Sequence, residues 1–216
     1  SAVFCCCRRV NLIGEHTDYN DGFVMPLALQ RVTVIAARPR GDDTCRVATC
    51  TKDLEPIEFD AGASLAPSPP GTWVNYVKGV IAQYRKEQPC YGFDMTICSD
   101  VPLGSGLSSS AALEVATATL IEAVYPEVAT TDVEKALRCQ KAEHEYSGTM
   151  CGIMDQFISA LGVERHALLI DCRSYAATPV PLSDPSLAIV IINSNCPHKL
   201  EGSEYNTRRE QCEMVC

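Results

Sequence analysis

The sequence predicts an α+β fold, in which a mixed β-sheet packs against helices. Segments with alternating or continuous apolar residues, which are typical of strands, are interspersed with segments in which apolar residues recur every three or four positions, which is typical of helices. The two kinds of segment follow one another without strict strand–helix alternation, and this argues against a doubly wound parallel sheet. With 216 residues, 46% of them hydrophobic, the chain is long enough to bury a core of this kind.

Five segments are predicted to be strands because β-branched and other apolar residues dominate them or alternate with polar residues. They are RVTVIAARP from Arg31, DTCRVATC from Asp43, FDMTICSD from Phe93, HALLIDCR from His166 and LAIVIIN from Leu187. The segment DAGASLAPSPPGT, residues 60–72, is rich in proline, alanine and serine and predicts a surface loop rather than a linker between domains.

Four helices are predicted between these strands, and the C-terminal segment SEYNTRREQCEMVC also has helical character. A second helix runs from about Ser108 to Val124, a third from a cap at Thr131 or Asp132 to Gly148, and a short fourth covers CGIMDQFISALG. The first helix, WVNYVKGVIAQYRK, places five apolar or aromatic residues on one face: Val74, Val77, Val80, Ile81 and Tyr84.

The composition argues against two classes of partner. The net charge is −9, and an acidic surface does not favour nucleic acid, which needs clustered lysine and arginine. A local basic pocket for one small anion is still compatible with this charge. No apolar run approaches the ~20 residues needed to span a bilayer, and no signal-peptide pattern opens the sequence. We therefore expect a cytoplasmic protein that binds neither nucleic acid nor membrane.

The 13 cysteines do not follow the pattern of a disulfide framework. Their number is odd, no two CxxC pairs exist, and Cys98, Cys139 and Cys172 lie inside apolar strand or helix patterns. These observations predict buried thiols that act as small hydrophobic groups in a reducing cytosol.

The segment DVPLGSGLSSSAALEVA places glycine and serine residues just before a helix begins. A helix start leaves about four backbone N–H groups unpaired and carries roughly half a positive charge. Glycines upstream let these donors converge, so an anion of phosphate size is a natural ligand. The segment is neither a P-loop nor a Rossmann turn. A serine cap with a glycine hinge, which needs no ligand, explains the same residues.

A second polar segment, RRVNLIGEHTDYNDG, has little periodicity after Ile13. Glu15, His16, Asp18 and Asn20 offer hydrogen-bond donors and acceptors together, as a sugar requires because each of its hydroxyls both donates and accepts. A surface turn that caps itself is the structural alternative. A zinc site is a weaker alternative, because the ligand spacing is not convincing.

A third segment, CGIMDQF, places Asp155 in an otherwise apolar stretch. A carboxylate that is partly buried needs a cation or several donors, and a carboxylate in this position is a candidate general base. An aspartate at a helix N-terminus is the alternative interpretation of the same residue.

Together these segments resemble the galactokinases of the GHMP sugar-kinase superfamily. RVNLIGEHTDYNDG is similar to the galactokinase signature, PLGSGLSSSAALEVA to the nucleotide-phosphate loop of the superfamily, and CQKAEHEYSGTMCGIMDQFISALG to the segment with its catalytic aspartate. The likeness extends from about Arg9 to Cys216, with the three motifs in the family's order. It implies phosphorylation of the anomeric hydroxyl of α-D-galactose by ATP, giving galactose 1-phosphate.

The resemblance also implies roles for individual residues. Asp155 would be the base, or at least the orienting carboxylate, for the C1 hydroxyl, and Arg9 beside it would stabilise charge on the transferred group. Mg²⁺ would be held by Ser110 and Glu143. The galactose hydroxyls would contact Glu15, His16, Asp18, Gly152 and Tyr205. ATP would lie against Trp73 and Tyr76 at its adenine and, at its phosphates, against Gly104, Ser105, Gly106, Leu107, Ser108, Ser109 and Ser110.

The resemblance further implies three regions: an atypical leader over residues 1–7, a GHMP-kinase N-terminal domain over residues 8–182, and the incomplete beginning of a C-terminal domain over residues 183–216. Arg8 stands where the family has glycine, so we expect it to disturb Arg9. Family members continue into a further region with a third glycine-rich motif. We therefore expect this chain to be a fragment with little or no kinase activity of its own.

Two related functions stay open at this point. A non-catalytic galactose sensor of the same family is disfavoured by the intact small residues of SSSAALE, and an N-acetylgalactosamine kinase is disfavoured by GEHTDYNDG with Thr17 and Asn20. A truncated product that acts only through interactions is a third. The expected partners are galactose and ATP, and we expect a monomer.

Overall fold

The computed structural model describes residues 2–51, 54–86, 92–100, 108–192 and 204–215. The strands in these ranges are β1 (Ala2–Asn11), β2 (Phe23–Val24), β3 (Pro26–Pro39), β4 (Thr44–Thr49), β5 (Ile57–Asp60), β6 (Phe93–Ser99), β7 (His166–Asp171) and β8 (Ala176–Pro181). The α-helices are α1 (Val74–Arg85), α2 (Ser109–Val124), α3 (Asp132–Ala142), α4 (Met154–Leu161) and α5 (Glu204–Glu213). Short 3₁₀ turns cover Asp18–Asn20 and Pro126–Val128, and a π turn covers Glu143–Ser147.

The strands form one mixed sheet in the order β2-β7-β3-β6-β4-β5, with β1 also paired to β3 and β8 to β7. The long strand β3 organises this sheet, because it pairs with β1, β6 and β7. Among the described strands, β4 and β6 run parallel and the other pairs run antiparallel. The predicted α+β class is therefore confirmed.

Helix α2 lies at the centre of the packing. It contacts β1 and β3 of the sheet and also α1, α3 and α4. Its small residues let these elements approach closely, and both Val115 and Ala118 are almost completely buried. A helix that is buried on all sides is normally apolar throughout. The fully buried Glu114 and Thr117 on α2 are therefore exceptions that need polar partners.

Two apolar clusters hold the layers together. The larger cluster lies between the sheet and helices α1 and α2, where Ile35 and Phe93 meet Val77 and Ile81. The smaller cluster surrounds Phe157 and joins α4 to β2 and β7. The larger cluster packs against α2 and the smaller cluster against α4, and the first turns of these two helices carry polar residues.

The capping signals in the sequence mark the observed helix ends. Thr131 caps α3, and its side chain exchanges hydrogen bonds with Glu134 in a capping box. After α3 the helical path continues through the π turn Glu143–Ser147, and it ends at Gly148, whose φ is 75°. Helix α2 begins at Ser109, after Ser108 has turned into the left-handed region with φ 54°. The four predicted helices are thus confirmed, and α5 agrees with the helical character of the C-terminal segment.

Four of the five predicted strands are confirmed, and the fifth is wrong. Residues 187–192 are described and contain no strand. They are rich in β-branched residues, but no described strand pairs with them, and Val190 and Ile192 are 79% and 87% exposed. Strand propensity without a partner edge does not make a sheet.

Strands β1, β2, β5 and β8 were not predicted from the sequence. In β1 the cysteines and arginines hide the alternation, although the structure buries Cys6 and Arg8 and leaves Cys5 exposed. Residues 2–7 are therefore continuous with residues 8–11 in one strand. Strand β8 contains Pro179 and Pro181, which argue against a strand except at an edge of a sheet.

The prediction for Cys98 is corrected. Cys98 is joined to Cys50 by a disulfide, because the parallel pairing of β4 and β6 places these positions side by side. Cys139 and Cys172 are buried free thiols, as predicted. None of the helices in the described ranges is long and apolar enough to cross a membrane.

Candidate active site

The first turn of α2 lies against Asp155 of α4. Ser108 takes a left-handed conformation just before the helix, and its hydroxyl donates a hydrogen bond of 2.5 Å to Oδ2 of Asp155. The Ser108 side chain makes no capping hydrogen bond to α2, so within the described part of the chain the first backbone N–H groups of this helix are available to another acceptor. Ser109 and Ser110 lie in this turn, whereas Gly104, Ser105, Gly106 and Leu107 lie outside the described residues.

Arg9 holds the same carboxylate from the other side. Its Nε donates to Oδ1 of Asp155 at 2.6 Å and its Nη2 to Oδ2 at 2.8 Å, which makes a bidentate ion pair. The two side chains are 17% and 27% exposed, so the pair opens to solvent on one side. Burial lowers the pKa of Arg9, but the charges of Asp155, Glu15 and Asp18 outweigh it, and the net pKa is raised. Arg9 therefore stays positively charged.

Asp18 approaches this pair through the backbone of Gly152. A Cβ atom on Gly152 would lie 1.9 Å from Oδ2 of Asp18, so only glycine permits this contact. Backbone N–H groups of Met154 and Tyr19 donate to the Asp18 carboxylate. Burial and the nearby charge of Asp155 nevertheless raise the pKa of Asp18. The structure thus places two carboxylates near one another, and the positive charge of Arg9 acts on both.

The turn that carries Asp18 is fixed by its own side chains. The hydroxyl of Thr17 donates to the carbonyls of Gly14 and Phe23, at 2.8 Å each. His16 has a positive φ of 59° in this turn, and its Nδ1 lies 2.5 Å from the Tyr19 hydroxyl. Such a backbone conformation is uncommon outside glycine and occurs where surrounding contacts enforce it.

Tyr205 closes the site from α5. Its hydroxyl accepts a hydrogen bond of 3.3 Å from the backbone N–H of Gly152, and its ring lies 5.5 Å from that of His16. Burial and the charge of Asp18 raise the pKa of Tyr205, so the phenol stays protonated. Side chains on α5 also bind the 148–152 loop, since Asn206 bonds both Gly148 and Met150.

The remaining residue with a predicted sugar contact lies at the solvent edge. Glu15 is exposed, and its Oε1 accepts a hydrogen bond of 2.8 Å from Nδ2 of Asn11. Both residues belong to the segment that leads from β1 into the Asp18 turn.

A second, deeper acidic cluster surrounds Glu143. The π turn directs Glu143 inward, where it is only 3% exposed and accepts a hydrogen bond from the Ser110 hydroxyl. Single π turns of this kind often occur at functional sites. Burial and the charge of Asp155 raise the pKa of Glu143 to about 7. Burial and the charge of Glu143 likewise raise the pKa of Glu114, which is fully buried.

These carboxylates suit a small divalent cation. The described residues contain no group of three or more His, Cys, Asp or Glu side chains arranged as a metal cluster. Mg²⁺ does not require one, because it keeps several waters and takes one or two protein oxygens. Glu143, Glu114 and Asp155 oppose each other's charge, and a cation would relieve that repulsion. Ser110 and Glu143 therefore fit Mg²⁺ in their chemistry.

The segment predicted to border adenine lies at the start of α1. Trp73 packs against the larger apolar cluster, and Tyr76 is half-buried. The neighbouring loop is fixed to α1 at Ser68. Asn75 exchanges hydrogen bonds with the backbone of Ser68, and Lys78 donates to the Ser68 hydroxyl. The contacts that join Arg9, Asp18, Ser108 and Asp155 do not extend to Trp73.

Sequence reasoning missed two polar residues of this region. Gln156 is completely buried and donates to both Glu114 and Glu143. The signal for Glu114 was available, because it is a single charge in the small and apolar stretch SSAALEVATATL. Gln156 lies directly after Asp155 in a similar stretch. Neither residue was predicted to be part of the site, because the burial of Glu114 and Gln156 depends on tertiary packing that the local sequence does not reveal.

Comparison with known proteins agrees with this geometry. Residues 2–39 match the galactokinase galactose-binding signature, and residues 75–163 match the GHMP kinases N terminal domain. The chain is 53% identical to the galactokinase of Bos taurus and 52% identical to that of Homo sapiens; each match covers 96% of this chain and 54% of the relative. The chain thus spans about half the length of the curated relatives it matches.

Solved structures agree as well. The galactokinase of Lactococcus lactis complexed with galactose superimposes with a TM-score of 0.92 at 34% identity, covering 99% of this chain and 55% of that one. The mevalonate kinase of Methanococcus jannaschii superimposes with a TM-score of 0.66 at 20% identity, covering 83% of this chain and 55% of that one; this shows the fold alone.

The mixed sheet, the central helix α2 and the match over residues 75–163 show the fold of the N-terminal domain of the GHMP kinases. Within this class the chain is similar to the galactokinases, through the signature over residues 2–39 and its identity to the mammalian enzymes.

Proposed function

We propose that this protein acts as a galactokinase, which transfers the γ-phosphoryl group of ATP to the C1 hydroxyl of α-D-galactose. The observation that carries the proposal is the contact between Ser108 and Asp155, with Arg9 on the other side of the carboxylate. This contact brings an anion-binding helix start and a candidate base to one point, although they are 47 residues apart in the chain. The relative from Lactococcus lactis was solved with galactose.

Asp155 would accept or orient the proton of the C1 hydroxyl. The C1 oxygen then attacks the γ-phosphorus, the bond from that phosphorus to the bridging oxygen breaks, and ADP leaves. Since the transition state of phosphoryl transfer is loose, alignment and charge neutralisation contribute most of the catalysis. Arg9 supplies a permanent positive charge at this point, and its bidentate bond fixes the carboxylate for the incoming hydroxyl.

The sugar would occupy the cleft formed by the Asp18 turn, the 148–152 loop and α5. Glu15 and Asp18 provide acceptors and the Tyr205 hydroxyl a donor, while His16 lies between the ring of Tyr205 and the hydroxyl of Tyr19. Gly152 contributes close backbone approach. This set of donors and acceptors matches the hydroxyl pattern of a hexose.

ATP would place its phosphates on the start of α2 and on the Gly104–Ser110 loop, with its adenine beside Trp73 and Tyr76. The backbone N–H groups at the start of α2 and the helix dipole favour anions there. Mg²⁺, held by Ser110 and Glu143, would neutralise negative charge on the phosphates.

A cytoplasmic, monomeric protein is part of the same proposal. The support for the reducing compartment is that eight cysteines of the described ranges are free thiols, against the one disulfide between Cys50 and Cys98.

The replacement Asp155→Asn tests the proposed function. Transfer from radiolabelled ATP to galactose should fall by about 10²–10⁴-fold, because the amide cannot accept the proton. Galactose binding, measured by calorimetry, should stay close to that of the unmodified chain.

Asp94→Asn is a matched control, because Asp94 is also an arginine-paired aspartate, with Arg38 and Arg40, and is 22% exposed against 27% for Asp155. It belongs to β6 on the sheet. Near-normal turnover in Asp155→Asn would remove this carboxylate from the mechanism. No transfer to galactose by the unmodified chain would agree with the low activity expected of a fragment, and the two variants would then be compared in a chain extended at its C-terminus to the length of its relatives. No transfer by the extended chain would contradict the proposed activity.

A further inference from the structure

A buried amide connects the two acidic residues beneath the site. Nε2 of Gln156 donates to Oε2 of Glu143 at 2.9 Å and to Oε2 of Glu114 at 3.1 Å. Gln156 and Glu114 are both 0% exposed, and Glu143 is 3% exposed. An amide NH₂ group has two hydrogens, so each glutamate can receive one of them.

The three side chains come from three separate elements. Glu114 lies on α2, Glu143 lies on the π turn after α3, and Gln156 lies on α4, next to Asp155. The bridge therefore links the helix that would hold the phosphates to the helix that carries the candidate base. A movement of Gln156 would alter the position of Glu143 relative to Asp155 and Ser110.

The orientation of the amide is determined by its surroundings. The opposite orientation would place the carbonyl oxygen against two carboxyl groups and would remove both of the donors that the amide supplies to them. In the described part of the chain, Oε1 of Gln156 and Oε1 of Glu114 have no hydrogen-bond partner. The NH₂ group alone therefore carries the contacts of this side chain with the acidic pair.

We propose that Gln156 is a positioning residue that directs the carboxylate of Glu143 toward Ser110, and thereby sets the affinity of the site for a divalent cation. Oε2 of Glu143 is engaged by the amide, while the carboxylate also accepts from the Ser110 hydroxyl. Glu114 is the second acceptor that fixes the amide. The inference rests on the proposed function, because that proposal assigns Mg²⁺ to Ser110 and Glu143.

Binding of Mn²⁺, used as a paramagnetic substitute for Mg²⁺, tests this role directly. The free Mn²⁺ signal in electron paramagnetic resonance is titrated with protein in the presence of a non-hydrolysable ATP analogue. Gln156→Met removes the donors at nearly constant length and should weaken Mn²⁺ binding by about 10–100-fold, as is typical for outer partners of metal ligands. Galactose affinity should stay unchanged.

Gln83→Met is the matched control. Gln83 is 5% exposed and donates at 2.6 Å to Glu145, which belongs to the same π turn but is 41% exposed at its side chain. This variant loses a comparable buried amide bond and should keep Mn²⁺ affinity within about twofold. Gln156→Asn is a conservative variant that retains the amide but reaches less far, so its affinity should lie between those of Gln156→Met and the unmodified chain.

The outcomes separate the two proposals. Mn²⁺ affinity in Gln156→Met equal to that of the unmodified chain would overturn the positioning role and leave the proposed function standing. If Gln156→Met does not fold, as judged by near-ultraviolet circular dichroism, Gln156→Asn decides the question, and unchanged affinity in it overturns the role. Galactose binding without any Mn²⁺ binding by the unmodified chain would overturn the metal assignment and this inference with it, but not the sugar site.

Discussion

Arg8 offers a test of how buried charge limits the stability of this fold. It is 2% exposed, and among the described residues its guanidinium donates one hydrogen bond, of 2.6 Å from Nη2 to the hydroxyl of Ser99. Its Nε and Nη1 have no partner among the described residues. Burial lowers the pKa of Arg8, with Asp100 as the opposing charge. We therefore expect Arg8→Met, an apolar side chain of similar length, to stabilise the protein.

The expected magnitude follows from these contacts. Each unpaired buried donor costs about 1–3 kcal/mol, and loss of the bond to Ser99 removes about 1.5–3 kcal/mol. Ser99 keeps a second contact, at 3.3 Å to the carbonyl of Val32, so its hydroxyl is not left unpaired. The net gain is about 1–3 kcal/mol, in the range measured when buried charges are replaced by apolar residues. For a chain of this size, the midpoint of thermal unfolding should rise by roughly 2–4 °C per kcal/mol.

The assay is urea unfolding followed by circular dichroism, with Arg9→Met as the control in the same strand. Arg9 makes two bonds to Asp155 instead of one to a hydroxyl, so its loss should destabilise the fold by about 1–3 kcal/mol; solvent access to the pair keeps this value modest. We therefore expect the free energy of unfolding to rise in Arg8→Met and to fall in Arg9→Met. Destabilisation by Arg8→Met of more than about 1 kcal/mol would refute this expectation.

Two further predictions concern the sugar site and the acidic cluster. Gly152→Ala should weaken galactose binding by about tenfold or more in calorimetry, because the new Cβ would lie 1.9 Å from Asp18. Gly41→Ala is the control and should leave the affinity unchanged, because a Cβ there meets nothing within 4 Å. Equal galactose affinities in the two variants would contradict the contact between Gly152 and Asp18. The pKa of Glu143 is raised from 4.5 to about 7, so its contribution to stability should be present below pH 4.5 and be lost as pH rises through about 7. The free energy of unfolding in urea should therefore be lower at pH 8 than at pH 5, and Glu143→Gln should make this difference smaller. The same difference in the variant as in the unmodified chain would exclude Glu143 as its source.

The sequence determined much of the helical structure because its signals are local. The capping box at Thr131, the stop at Gly148 and the serines before α2 are each read within a few residues. Strand signals failed where pairing decides the outcome. Residues 187–192 have strong strand propensity but pair with no described strand, whereas β1 has weak propensity and is paired with β3 along its length, with one register shift between Cys7 and Arg8. Propensity is overridden by pairing in both cases.

The candidate site could be listed from motifs but not assembled from them. Arg9 and Asp155 are 146 residues apart, and only the packing of α4 against β1 brings them within 2.6 Å. The roles of Gln156 and Glu114 depend on burial, which local sequence does not reveal. Arg8 was expected to disturb Arg9, yet the structure keeps the Arg9–Asp155 pair intact and buries Arg8 beside Ser99.

The central claim is that the phosphates of a nucleotide bind at the start of α2, within reach of Asp155. A crystal structure of this chain with galactose and a non-hydrolysable ATP analogue measures this directly. We predict the terminal phosphate on the backbone N–H groups of Ser109 and Ser110, and the C1 hydroxyl of galactose within hydrogen-bonding distance of the Asp155 carboxylate. A nucleotide bound elsewhere, or a sugar whose C1 hydroxyl points away from Asp155, would contradict it.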